Sequence, residues 1–361
     1  MRRGGPLRGF TAGGHVGLAP STPENLATQL ALASAAGRTV MPIGGGRHSR
    51  QGKPIDADIT LSTINLDRVL AHEPADLTVT VQAGASVAML ADALAAAGQC
   101  WPQAPPTAGA TVGGVIAAGV GTRQRLREGP IRDGLLEVVV ATGDGRLIKG
   151  GGKTVKGVTG YDLPRLMVGS LGTLGVITEV TLKLWPQPIA RGWFAANGSL
   201  ADRVLVAKAI LTEVHRPAAV LLSPDTLSVE LMGPEGDVTP PVGFEAATEP
   251  APLTGAGIVR VGVAPTAVWA LAEALENLGL RYEAQAGVGL AEVAVANREE
   301  LAAVRATAIQ LGGHAIVVDA PAQFRSDPWG PPPEGTSIMH KLKAVFDPAG
   351  ILAPGRLVGA P

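Results

Sequence analysis

Between positions 21 and 98, apolar residues alternate between a helical spacing and a strand spacing. Ser21-Thr22-Pro23-Glu24 followed by LATQLALASAAG predicts a capped helix, with Pro23 in its first turn and Gly37 closing it. Thr39–Ile43 predicts a short buried strand running into Gly44-Gly45-Gly46. Ile59–Ser62 and the alternating Leu77–Gln82 predict two more strands, and Ser86–Ala97 a second helix stopped by Gly98.

From residue 105 to 186 glycine recurs every few positions. VVVATGDGRLI reads as a hairpin turning at Asp144-Gly145, and GTLGVITEVTLKL ends in a strand. Trp185-Pro186-Gln187-Pro188 marks a boundary. Beyond it, strands are expected near Trp193–Ala196, Ala218–Ser223, Thr226–Met232, Ile258–Val263, Arg281–Ala286, Leu290–Val295 and Ala315–Asp319. Helices are expected over Leu200–His215, Pro265–Gly279 and Arg298–Leu311, and a Pro- and Glu-containing loop over Gly233–Leu253. Two successive β-α-β-β units suggest a ferredoxin-like sheet with helices on one face. A Pro-rich loop at 327–334 leads into a last helix, Ser337–Phe346. The expected organisation is a tail at 1–20, two α/β subdomains at 21–104 and 105–188, a smaller α+β domain at 189–326, and a C-terminal loop, helix and tail at 327–361.

At 361 residues the chain exceeds the usual single-core domain. Gly 48 and Pro 29 together exceed ordinary usage without reaching low complexity. The 30 basic and 31 acidic residues nearly cancel, so no basic excess points to nucleic acid. Cys100 is the one cysteine, which excludes an internal disulfide, an iron–sulfur cluster and a cysteine-based zinc site. Arg2 and Arg3 have no apolar stretch behind them, so no export signal is read, and no apolar run suffices to span a bilayer. A cytoplasmic setting is expected, with the inner face of the membrane reached only through partners.

The glycines allow three ligand motifs to be tested. GGGKT at Gly150–Thr154 lacks the P-loop's first glycine, since Leu147 holds that place, and VKGVTGYD cannot open the required helix. Every G-x-G pair lacks the third glycine of a Rossmann turn, Gly119/Gly121 being followed by Gln124. Two clusters remain. Gly44–Gly46 follow a strand, where successive amides can form an anion nest. Thr107–Gly121 can cap a short helix with Thr111 and aim its first amides at phosphate. Tight turns and close packing account for any single glycine; two dense clusters suit a pyrophosphate held from both sides.

The blocks PIGGGRHS, DLTVTVQAGASVAML, PPTAGATVGGVIAAG, GPIRDGLLEVVVATGDG and GGKTVKGVTGYDLPRLMVGSLGTLGVITEVTLKL resemble the FAD-binding domain of the vanillyl-alcohol-oxidase/PCMH flavoprotein superfamily over residues 20–188. GQCWPQAPP and the terminal FDPAGILAPGRL are most similar to the FAD-binding E subunits of bacterial glycolate oxidases. The resemblance implies an α+β fold: a PCMH-type two-subdomain FAD-binding domain, a smaller ferredoxin-like cap, and a C-terminal helix returning to the FAD domain. It places Gly44, Gly45, Gly46 and Arg47 at the FAD pyrophosphate. Pro106, Thr111, Val112, Gly113 and Gly114 would line the other side of the phosphates and ribityl chain. Ala117, Gly119 and Gly121 would lie near the flavin, with Val176 and Ile177 at an edge reached through Gly172 and Gly175. Gly160-Tyr161-Asp162 would shape the same wall, Asp162 being equally readable as a helix cap.

Ile43 stands where the family commonly has arginine, and Lys156-Gly157 where a lysine–asparagine pair is common. Arg47 holds the place of the histidine that carries covalent flavin, which implies non-covalent FAD and leaves His48 a surface or capping role. The resemblance implies an oxidoreductase subunit acting on a small 2-hydroxy acid, glycolate or D-lactate, with a larger catalytic flavoprotein and an iron–sulfur partner. A non-catalytic electron-transfer or assembly subunit and a self-sufficient alcohol oxidase stay open. His340, on the last helix, is the weak candidate for a catalytic group. Arg123, Arg125, Arg127 and Arg132 read as a solvated loop that could otherwise meet an anion, and no metal site is read.

Overall fold

The computed structural model describes residues 10–12, 15–104, 107–152, 161–214 and 216–359. Thr22 accepts the Asn25 amide through its Oγ1 at 3.1 Å and starts helix α1 at Pro23–Ala35. That helix buries Leu26, Ala27, Leu30 and Ala33 against a four-stranded sheet. Its strands are β1 (Phe10–Ala12), β2 (His15–Leu18), β3 (Val40–Ile43) and β4 (Ile59–Ser62), in the order β1-β2-β4-β3. β4 runs parallel to both neighbours, as an α/β unit requires.

The second unit runs β5 (Val69–Glu73), β6 (Thr78–Gln82), α2 (Val87–Ala95), β7 (Gln99–Cys100), α3 (Val112–Ala118), α4 (Arg125–Glu128), β8 (Leu135–Ala141), β9 (Leu147–Gly151), α5 (Leu163–Met167), β10 (Val176–Lys183) and β11 (Trp185–Pro186). β5-β6-β10-β8-β9 form an antiparallel sheet, and the β8–β9 hairpin turns at Asp144-Gly145 with Gly145 at φ 83°. Leu90, Leu94, Val115, Ile116 and Met167 from its helices pack on Val79, Val81, Val138 and Val180. Trp185–Pro186, expected as a bare boundary, instead pairs with β7.

The third unit runs β12 (Ala190–Asn197), α6 (Leu200–Glu213), β13 (Ala219–Leu222), β14 (Thr226–Gly233), β15 (Glu245–Ala247), β16 (Gly257–Gly262), α7 (Val268–Asn277), β17 (Tyr282–Gln285), β18 (Leu290–Val295), α8 (Arg298–Gln310) and β19 (His314–Asp319). The two β-α-β-β units fuse through β13–β17 into one eight-stranded antiparallel sheet, β15-β12-β14-β13-β17-β18-β16-β19. β15 corrects the expectation of an open loop over 233–253. Strand alternation sends Val229, Val259, Tyr282 and Val293 to the helix-covered core. The same alternation turns their neighbours Glu230, Arg260, Glu283 and Glu292 to the opposite face.

The last helix, α9 (Thr336–Phe346), returns to the first two units as the sequence implies. Lys343, nearly buried, donates to Thr173 O at 2.8 Å, Leu352 O at 2.6 Å and Asp347 Oδ2 at 2.6 Å. Asp347 also accepts the amides of Ile351 and Leu352, and Leu352 bridges Val40. The architecture is the expected α+β class. No helix among the described residues is long and apolar enough to cross a membrane.

Candidate functional site

Where the first two units meet, an open cleft is lined from four directions. The loop after β3 contributes Gly44–Ser49, α3 with its cap contributes Thr111, Gly113, Gly114, Ala117 and Ala118, and the approach to β10 contributes Leu171, Gly172 and Gly175–Ile177. Arg356 enters from the C-terminal tail. A Cβ on Gly45 would overlap Gly109 O, and one on Gly44 would overlap Thr111 Oγ1. These two glycines therefore let the loop touch the α3 cap, so close packing explains them.

The amides tell the two clusters apart. Among the described residues, the N–H groups of Gly45, Gly46, Arg47 and His48 have no acceptor. Those of α3 are committed: Val112 N donates to Ala85 O at 2.9 Å, Gly113 N to Ala83 O at 2.8 Å and Gly114 N to Thr111 Oγ1 at 3.3 Å. The expectation that α3 aims its first amides at phosphate is corrected on this ground. Its cap is spent on its own helix and on the turn after β6.

Most of the residues singled out from the sequence share this cleft. Val112 is instead fully buried in the core. Gly119 closes α3 at φ 64° and packs on Gly169. Gly121 lines a small neighbouring pocket with Arg125, Arg260 and Glu292. Pro106 and Gly160 lie outside the described residues, as does His215. Asp162 accepts the Arg165 amide at 3.0 Å and is the N-cap of α5. His340 meets Gly359 O in an apolar pocket beside Leu166 and Leu342, away from the cleft.

His48 is a correction. It lines the cleft, and its Nε2 is buried with no partner. Burial, helped by the charges of Arg47 and Arg260, lowers its pKa below the usual imidazole value. Arg123 and Arg127 of the arginine stretch are another, whereas Arg132 stays half-exposed beside Asp133, as a solvated loop would have it. Arg123 donates to both oxygens of Glu283 at 2.7 Å, to Glu249 Oε1 at 3.0 Å and to Pro250 O at 2.7 Å. Gln124 reaches the fully buried Glu230 at 2.5 Å, and Arg127 bonds Met232 O. The segment is bolted to the polar face of the eight-stranded sheet. Sequence reasoning did not single out Met41, Pro42, Thr63, Leu171 and Arg356 in the cleft wall; Pro42, Leu171 and Arg356 lie within the motif blocks PIGGGRHS, GSLGTLGV and APGRL, whereas nothing local marks Met41 or Thr63.

Residues 16–151 match the family described as FAD binding domain, and residues 330–357 match the C-terminal domain of FAD linked oxidases. The chain is 39% identical over 141 residues to glycolate oxidase subunit GlcE of Escherichia coli, covering 38% of this chain and 40% of that one. It is 38% identical over 170 residues to a D-lactate dehydrogenase of Archaeoglobus fulgidus, covering 46% and 38%. With glycolate oxidase subunit GlcD of Bacillus subtilis it shares 35% over 175 residues, covering 47% and 37%. The matched parts thus span about two fifths of these curated relatives. An alkyldihydroxyacetonephosphate synthase structure superposes with a TM-score of 0.64 at 14% identity, covering 93% of this chain and 75% of that one; this likeness bears on the fold.

The cleft suits FAD: unclaimed amides of one loop could take phosphate oxygens, and a buried cation stands in its wall. Residues 16–151 thus match an FAD binding domain, and residues 330–357 match a C-terminal segment of FAD linked oxidases.

Proposed function

We propose that this chain is the FAD-binding subunit of an oxidoreductase that acts on a small 2-hydroxy acid such as glycolate or D-lactate. The observation that carries this is the cleft itself, where the acceptor-free amides of Gly45–His48 lie beside His48 and Arg356. FAD bound there supplies a two-electron acceptor. Gly44, Gly45, Gly46 and Arg47 hold its diphosphate, and Thr111, Gly113 and Gly114 close the opposite wall. Ala117, Gly172, Val176 and Ile177 border the remaining length. The neutral His48 imidazole is the group in this wall able to take a proton. With Arg47 rather than histidine directly after the glycines, FAD is held without a covalent bond.

The names of the relatives, subunits of glycolate oxidase among them, support a multi-subunit assembly. We infer a larger catalytic flavoprotein and an iron–sulfur protein as partners, which take electrons onward. The test is a dye-reduction assay with glycolate and D-lactate on the isolated FAD-loaded chain and on the co-expressed assembly. Turnover by the assembly, at a rate the isolated chain does not reach, is the expected result. Full turnover by the isolated chain would make it a self-sufficient oxidase, and none in either sample would remove the 2-hydroxy acid.

A further inference from the structure

Arg356 is 4% exposed, yet it lines the cleft. Its Nη1 reaches Met41 Sδ at 2.9 Å and its Nη2 reaches Gln51 O at 3.1 Å and Ser49 O at 3.5 Å, while Nε is buried without a partner. Behind it, Arg325 is 9% exposed, donates to Ser49 O at 3.3 Å and Gly52 O at 3.2 Å, and also has an unpartnered Nε. Among the described residues neither guanidinium has a carboxylate in ion-pair range. Asp319, whose charge reaches Arg325, is taken by Arg50 at 2.9 Å.

Two buried like charges with no carboxylate in direct contact are an expensive arrangement. Burial, with Arg325 adding to it, pushes Arg356 down to about 10. Holding the 49–52 loop by its carbonyls would not require a cation at the cleft wall, because a neutral amide donor serves that purpose.

We propose that Arg356, backed by Arg325, is the counter-charge for an anionic part of the dinucleotide in this cleft. The shared chemistry is negative charge spread over oxygen atoms, offered by the diphosphate or by the pyrimidine edge of the flavin ring. This rests on the reading of the cleft as an FAD site.

Titration of flavin-free protein with FAD and with riboflavin, which lacks the diphosphate, tests it. R356Q is expected to weaken FAD binding by about tenfold, the loss typical of a charged hydrogen bond, and R356K to recover most of it. A loss for FAD alone assigns the diphosphate. An equal loss for riboflavin, with a more negative flavin midpoint potential, assigns the ring. As a readout on the unmutated chain, the Arg356 Nε–H resonance should move when FAD is added. FAD affinity in folded R356Q equal to wild type, or an Nε–H signal unmoved by FAD, overturns the proposal. A wild-type chain that takes up no FAD overturns instead the reading on which it rests, and the proposal with it.

Discussion

Arg123 grips Glu283 through two parallel bonds, Nε to Oε1 and Nη2 to Oε2, each 2.7 Å long. The side chains are 16% and 12% exposed. This fork joins the segment just past the cleft-wall helix α3 to the polar face of the eight-stranded sheet, so the two units hold one relative position. A bidentate Arg–carboxylate pair fixes orientation as well as distance.

Removing one partner of this pair leaves a shielded charge alone. R123A should destabilise the chain by about 3 kcal/mol, read by urea unfolding at pH 7. Burial already raises the Glu283 carboxyl, and Arg123 opposes that rise. Without the arginine the folded-state value climbs further, which penalises the charged carboxylate above it. The R123A deficit should therefore shrink as the pH falls from 7 toward 5. A deficit that grows on acidification would contradict this account of the pair.

Gly45 offers a steric prediction. Its missing Cβ is what admits Gly109 O, so G45A must push the two loops apart. Overpacking of this kind costs about 1–3 kcal/mol. Flavin content per chain should fall along with the unfolding midpoint. Wild-type flavin content together with wild-type stability would mean the loops do not meet as described.

His48 should titrate below 6.5, because burial and then the charges of Arg47 and Arg260 disfavour its charged form. The unfolded chain then binds the proton first as the pH falls. Acidification from 7 through 6.5 should thus cost stability, and H48Q should flatten that part of the curve. The imidazole Cε1–H resonance reports the midpoint directly. A midpoint above 6.5 would show a paired imidazolium in place of a neutral ring.

Local chemistry was legible in the sequence; long-range contact was not. Thr22 and Thr111 cap helices because a hydroxyl before an apolar helical stretch satisfies an amide three residues on. Ile59–Ser62 and Leu290–Val295 carry enough β-branched and apolar residues to be read outright. The strand Glu245–Ala247 does not, being three exposed residues that exist as a strand only beside Trp193–Ala195. The Gly44–Gly46 and Thr111–Gly114 blocks share one cleft, yet the carbonyls of Ala83 and Ala85 claim the α3 amides. Arg123 looked like a solvated residue because its acidic partners lie 126 and 160 positions away. Arg356 reaches the cleft only after the chain has passed through the whole third unit.

Lys343 and Asp347 tie that return in place. K343M would strand Asp347, which is 1% exposed, beside its two amide donors. A loss of about 3–5 kcal/mol is expected, with α9 and the tail becoming the first segment cut in limited proteolysis. A variant as protease-resistant as wild type would mean the tail is held by its apolar contacts alone.

The central claim is that the cleft between the first two units holds FAD without a covalent bond. Acid precipitation of the purified, flavin-loaded chain tests it most directly. The account predicts one FAD released into the supernatant per chain and a colourless pellet, with reuptake at the same stoichiometry by refolded or salt-stripped protein. Flavin that stays with the precipitated polypeptide would contradict non-covalent binding, and a chain that carries and takes up no FAD would contradict the site itself.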